Sequence, residues 1–120
     1  MTTYKITRKC FRYFCDRLRF YVHNYSLKDW ELDIAIGTEN PENRATCITS
    51  LEDRYCKITI DPAWDVEPTD AALNKAAFHE ATEILLAPID ALMKERFVSI
   101  SQINDARHSV IMRLQNLLVD

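Results

Sequence analysis

Hydrophobic and polar positions follow a helical period near both ends of the chain and an alternating period between them. Residues 5–24 carry apolar side chains at spacings of three and four, which predicts an amphipathic helix. Apolar and polar residues alternate over 30–36 and 54–60, and a further apolar segment covers 45–51, so three strands are expected within 30–61. Helices are predicted over 69–87, where Thr69 suits an N-cap, and over 101–118, which carries an apolar stripe.

This order, α-β-β-β-α-α, predicts an α+β domain with a small, mostly antiparallel sheet. The 120 residues fit a single domain, 1–120, and the 48% hydrophobic content is enough for a core without disulfides. The four cysteines lack Cys-x-x-Cys spacing, so we expect four free thiols in a reducing compartment. No apolar run approaches the roughly 20 residues that cross a bilayer, and no signal-peptide core is visible, so a cytoplasmic location is expected.

Charge is distributed unevenly along the chain. Residues 1–28 carry seven bases and one acid, a net charge of +6, and the total of −3 leaves −9 for the remainder. A basic helix can bind nucleic acid or an acidic partner. It is more often a solvated face, and the overall acidity opposes polyanion binding, so we expect no nucleic-acid binding.

The predicted helix 69–87 is apolar on nearly every face, yet it contains His79, Glu80 and Glu83. Such a helix is normally buried, and a buried carboxylate needs a partner or a cleft. His79 and Glu83 are four residues apart and share a face, so both can reach one ion at about 2 Å. Glu80 is offset by about 100° and is better placed to take a proton from a metal-bound water. The alternative is a plain His79–Glu83 ion pair along the helix.

A third ligand would have to come from another part of the chain. His108 on the final helix could approach if that helix packs antiparallel to the motif helix. It lies roughly 130° from the centre of its helix's apolar stripe, however, which is equally typical of an exposed histidine. Asp90, Glu95 and Asp105 are the other candidates.

The segment Ala77–Leu86, Ala-Phe-His-Glu-Ala-Thr-Glu-Ile-Leu-Leu, resembles the metal-site helix of small zincin-like metallopeptidases encoded by bacteriophages and other mobile elements. The likeness extends upstream to Asp61-Pro62-Ala63-Trp64 and downstream to a final-helix segment that begins with His108. The resemblance implies a minimal zincin-like fold, with a small sheet packed on the metal-site helix. It also implies zinc held by His79, Glu83 and His108, with Glu80 as general base; Glu83 stands where that helix motif has a second His.

Three functions follow from these patterns. The first is a zinc-dependent hydrolase, most simply a peptidase acting on a peptide or protein in the host cytoplasm. The second is a non-catalytic protein of the same fold that binds a host macromolecule. The third is nucleic-acid binding through residues 5–19, where the helical spacing of the aromatic residues favours a core role over base stacking.

Overall fold

The computed structural model describes residues 3–95 and 97–118, and it confirms the α+β class. Its elements are β1 (Tyr4–Lys5), α1 (Arg8–Asn24), β2 (Glu31–Ile36), β3 (Ala45–Ser50), β4 (Tyr55–Ile60), β5 (Ala63–Trp64), α2 (Asp70–Leu85), α3 (Ala87–Met93) and α4 (Ile100–Leu118). Within the described ranges, no helix is both long and apolar enough to span a membrane.

The main sheet is mixed rather than mostly antiparallel. Its strand order is β2-β4-β3, with β2 parallel to β4 and β3 antiparallel to β4. A tight turn containing Arg54, whose φ is 50°, joins β3 to β4, whereas residues 37–44 carry the chain from one edge of the sheet to the other. The alternating pattern sets which side chains share a face, but it does not set which strands become neighbours. β3 is consequently an edge strand.

A second, two-stranded sheet was not predicted. β1 pairs antiparallel with β5, with Tyr4 opposite Trp64. Strands of two residues carry no readable period, which is why the predicted first helix extended back to residue 5. Helix α1 instead begins at Arg8, because the Thr7 side chain caps it by accepting a hydrogen bond from the Cys10 amide at 3.1 Å.

The core lies where α1, α2 and the central strand β4 meet. The apolar face of α1 packs against α2, and α2 also contacts β3. Fully or almost fully buried side chains come from all three core elements: Phe14, Leu18, Ile58, Ile60, Leu73, Ala77, Ala81 and Ile84. Burying each large member contributes about 1.5–3 kcal/mol, and these contacts hold α2 between α1 and the edge strand β3 of the sheet.

The last helix is attached more loosely. Only Ala106 of α4 is buried, and α4 contacts mainly α3 and, to a lesser extent, α1. This placement determines where His108 lies relative to the motif helix.

Candidate metal centre

Helix α2 places its three motif side chains at different depths. His79 is at the rim, with its side chain 70% exposed, and Glu83 is 44% exposed. Glu80 is only 4% exposed. Because α2 turns about 100° per residue, Glu80 and His79 lie on opposite sides of Glu83, and Glu80 is the one that faces the interior.

His79 and Glu83 form a pair at the rim. His79 Nε2 lies 3.5 Å from Glu83 Oε1. This contact is the helical ion pair that was the alternative prediction from the sequence. The same distance would also let both side chains bind one metal ion. An exposed helical pair of this kind contributes little stability, about 0.3–0.5 kcal/mol, so it does not by itself explain the motif.

Glu80 has a buried carboxyl oxygen without a partner. Its Oε2 atom accepts no hydrogen bond, and no base among the described residues forms an ion pair with it. Burial, and then the adjacent Glu83 carboxyl, raise the pKa of Glu80 to about 8. A buried polar atom that lacks a partner destabilises the fold by about 1–3 kcal/mol, so this carboxyl needs an explanation beyond packing.

A third side chain reaches these carboxyls from the sheet. Cys47 of β3 pairs with the fully buried Ile58 of β4 and therefore points toward α2. One ligand atom each from Cys47, Glu80 and Glu83 lies within 4.8 Å of the others, and we name these three residues the inner cluster. A hydrogen bond with the Cys56 thiol, burial, and the two carboxyls all raise the pKa of Cys47.

All four cysteines are free, as expected, and Cys47 and Cys56 lie on adjacent strands. The place of Cys47 beside Glu80 was not predicted from the sequence. The alternating pattern of β3 assigns Cys47 to one face of the sheet, and this was the only indication in the sequence. That α2 packs over this face is known only from the fold.

The inner cluster opens into a groove of about 890 Å³ between α2 and β3. Ala45, Thr46 and Cys47 form its strand wall, and Ala72, Ala76 and His79 lie on its helix wall. A groove of this volume is within the range of small-molecule and peptide sites. Since β3 is an edge strand, backbone groups on one of its sides have no partner in the sheet.

The outer groove contains two bases. Arg44 Nε donates to Asp65 Oδ1 at 2.7 Å, so its charge is already paired. Lys75 also lines the groove, on the helix wall. Among the described residues, neither base forms an ion pair with the inner cluster, so the positive charge of Arg44 and Lys75 does not neutralise its carboxyls.

The structure does not bring His108 to this groove. His108 is exposed on α4, and it is not among the residues that line the groove. The reason is that α4 packs through Ala106, and His108 lies about 200° around the helix from that contact. Among the other candidates, Glu95 and Asp105 line a separate cavity of about 360 Å³ beside α4. Asp90 lines a small cavity of about 260 Å³ together with Cys47 and Glu83.

No protein-family model, curated protein or solved structure matches this chain. The family likeness of the motif helix therefore stays a prediction.

Proposed function

We propose that this chain is a zinc-dependent hydrolase whose ion is held in the groove between α2 and β3. The observation that carries the proposal is the buried, unpartnered Oε2 of Glu80 next to the Glu83 carboxyl. Two adjacent carboxyls repel when both are ionised, and one of them is removed from water here. A divalent cation relieves both problems, whereas the His79–Glu83 ion pair relieves neither for Glu80.

His79 and Glu83 suit the role of ligands. Two donors bound to a tetrahedral zinc ion at about 2.0–2.1 Å are about 3.4 Å apart. His79 Nε2 and Glu83 Oε1 are 3.5 Å apart, so little movement is needed to bind one ion between them. The helix supplies this spacing, because side chains four residues apart share a face.

Glu80 is assigned the role of general base. Bound zinc lowers the pKa of a coordinated water and polarises a carbonyl. A base acting on that water must lie close to the ion and keep an oxygen free for the proton. Glu80 suits this role, because it belongs to the inner cluster and its Oε2 accepts no hydrogen bond. Its location one residue from His79 puts it on the inner side of Glu83.

The edge strand favours an extended peptide as the substrate. A peptide lying in the groove can pair with the free backbone groups of β3, as added strands do at other sheet edges. That strand passes the inner cluster at Cys47, so a paired peptide would present its carbonyls near the ion. Four free thiols suit a reducing compartment, which makes the cytoplasm the proposed location.

Metal binding is tested first, by measuring zinc content after purification without chelator and zinc affinity by calorimetry. We expect one equivalent of zinc in the wild-type protein and weakened binding in His79→Ala and Glu83→Ala. Glu52→Ala, in the exposed turn between β3 and β4, is the matched control and should bind zinc like the wild type. No zinc uptake and no change in melting temperature with excess zinc would refute the proposal.

Catalysis is tested separately with a mixture of unstructured peptides, followed by mass spectrometry of the products. Zinc-loaded wild-type protein should cleave peptides, and Glu80→Gln should keep zinc but lose cleavage by at least about 100-fold, the usual effect of removing a general base. A zinc-loaded protein that cleaves none of the peptides would instead favour the non-catalytic binding role.

A further inference from the structure

We propose that Cys47 is the third protein ligand of the ion, so that the site selects thiophilic metals such as zinc over magnesium or calcium. The inference deepens the proposed function and rests on it, because it concerns the same groove. It assigns to β3 the ligand that the sequence led us to seek on α4.

The Cys47 thiol lies close enough to the carboxyls for all three groups to surround one ion. Cys47 Sγ belongs to a set of three ligand atoms that all lie within 4.8 Å of one another, the other two being carboxylate oxygens of Glu80 and Glu83. Around a tetrahedral zinc ion, a sulfur at about 2.3 Å and an oxygen at about 2.0 Å are roughly 3.5 Å apart. A contraction of about 1 Å thus suffices, and the half-exposed Glu83 can supply it through a rotamer change.

Packing alone does not explain why a carboxyl is buried in this cluster. Glu80 is 4% exposed and its Oε2 is unpartnered, and its carboxyl belongs to the same cluster as the thiol. An acidic cluster alone is common on protein surfaces, but a buried one with an unsatisfied oxygen is not. An ion at the cluster would give the buried carboxyl a neighbouring positive charge.

Cys47, His79 and Glu83 together give three protein ligands, and a catalytic zinc ion keeps its fourth position for water. His79 is outside the 4.8 Å set, but its side chain is 70% exposed and is free to turn inward toward Glu83. Glu80 then lies beside the open position, as its proposed role requires. On binding, the thiol proton leaves to solvent and a metal–sulfur bond forms, so no oxidant or reductant is involved.

A thiolate ligand also makes the site selective for one class of metal ion. Magnesium and calcium prefer oxygen ligands, whereas zinc and cobalt(II) accept sulfur, nitrogen and oxygen together. The expected selectivity therefore comes from Cys47, with the His79 imidazole, and not from the Glu83 carboxyl, which would accept either class of metal.

The test is cobalt(II) titration of chelator-treated full-length protein, followed by ultraviolet and visible absorption. Cobalt bound to a thiolate gives an intense sulfur-to-metal charge-transfer band, which carboxylate and imidazole ligands do not give. We expect the band in the wild type, its loss in Cys47→Ser, and its retention in Cys10→Ser, a control on α1. Zinc affinity should fall in Cys47→Ser by at least the roughly 10–100-fold seen when a supporting partner of a ligand is lost.

A second measurement does not depend on the variant folding. Zinc should protect Cys47 in the wild type from alkylation by iodoacetamide, mapped by peptide mass spectrometry, and should leave labelling of Cys10 unchanged. Stoichiometric zinc binding with no charge-transfer band and no protection of Cys47 would overturn this inference and leave the proposed function standing. Failure of the wild type to bind either ion would overturn both.

Discussion

Replacing Glu80 by Gln tests the buried carboxyl in the metal-free protein. Gln has the same shape as a protonated Glu but cannot ionise. The pKa of Glu80 in the folded chain is raised from its ordinary 4.5 to about 8, by burial and then by Glu83. The folded state therefore holds this proton more tightly than the unfolded state does between pH 4.5 and 8.

The sign of the effect follows from that difference. Stability contributed by the protonated carboxyl is fully present below about pH 4.5 and is lost as the pH rises to about 8. At about 1.4 kcal/mol for each pH unit, the loss is at most roughly 5 kcal/mol. A smaller value, about 2–3 kcal/mol, is expected if Glu83, which is 44% exposed, moves its charge into water.

The assay is urea unfolding at pH 5 and pH 9 with chelator present, comparing wild type with Glu80→Gln. The two proteins should be about equally stable at pH 5, and the variant should be more stable at pH 9 by roughly 2–5 kcal/mol. Glu52→Gln, an exposed control, should track the wild type at both values. If the difference in unfolding free energy between variant and wild type does not change with pH, the pKa of Glu80 is not raised by burial.

Four further predictions concern the rest of the chain. Thiol titration of the denatured protein without reductant should find four free thiols, and finding none would place the protein in an oxidising compartment. His108→Ala should leave zinc affinity unchanged in calorimetry, because His108 is exposed and does not line the groove, so a clear loss would show that α4 moves over the site. Leu73→Ala should reduce the free energy of unfolding by about 2–5 kcal/mol in urea titration, since Leu73 is 1% exposed, and a change below about 1 kcal/mol would contradict the packing of α2. Mobility-shift assays should show no nucleic-acid binding at moderate salt, because the net charge is −3; a shift abolished by Arg12→Glu would prove this wrong.

The sequence was sufficient to predict the elements with strong periods. The three strands begin and end within two residues of their predicted bounds, and α2 and α4 lie where the apolar patterns indicated. These elements repeat their period over six or more residues, so the signal is strong. The strand order could not be predicted, because an alternating pattern is compatible with either a parallel or an antiparallel neighbour.

The site was only partly predictable, for a related reason. The motif gave His79, Glu80 and Glu83, and the fold does bring these three to one groove. An all-round apolar helix gives no sign of which face is deepest, so the burial of Glu80 and the exposure of His79 required the packing of α1 and β3. Cys47 lies 33 positions before Glu80, and contacts at that separation leave no local pattern.

The burial of Glu80 is the feature that a purely structural account of this helix does not explain. An ion pair between His79 and Glu83 accounts for the two residues at the rim of the groove, where His79 is exposed and Glu83 is half-exposed. This ion pair does not stabilise the buried Glu80 carboxyl. An apolar residue of similar size at this position could make the fold more stable, as often holds for buried charged groups. Rules of packing are broken mostly where a protein uses the group for chemistry. The proposed cation site therefore rests on a buried carboxyl whose Oε2 lacks a hydrogen-bond partner, beside a second carboxyl and a thiol, in a groove along an edge strand.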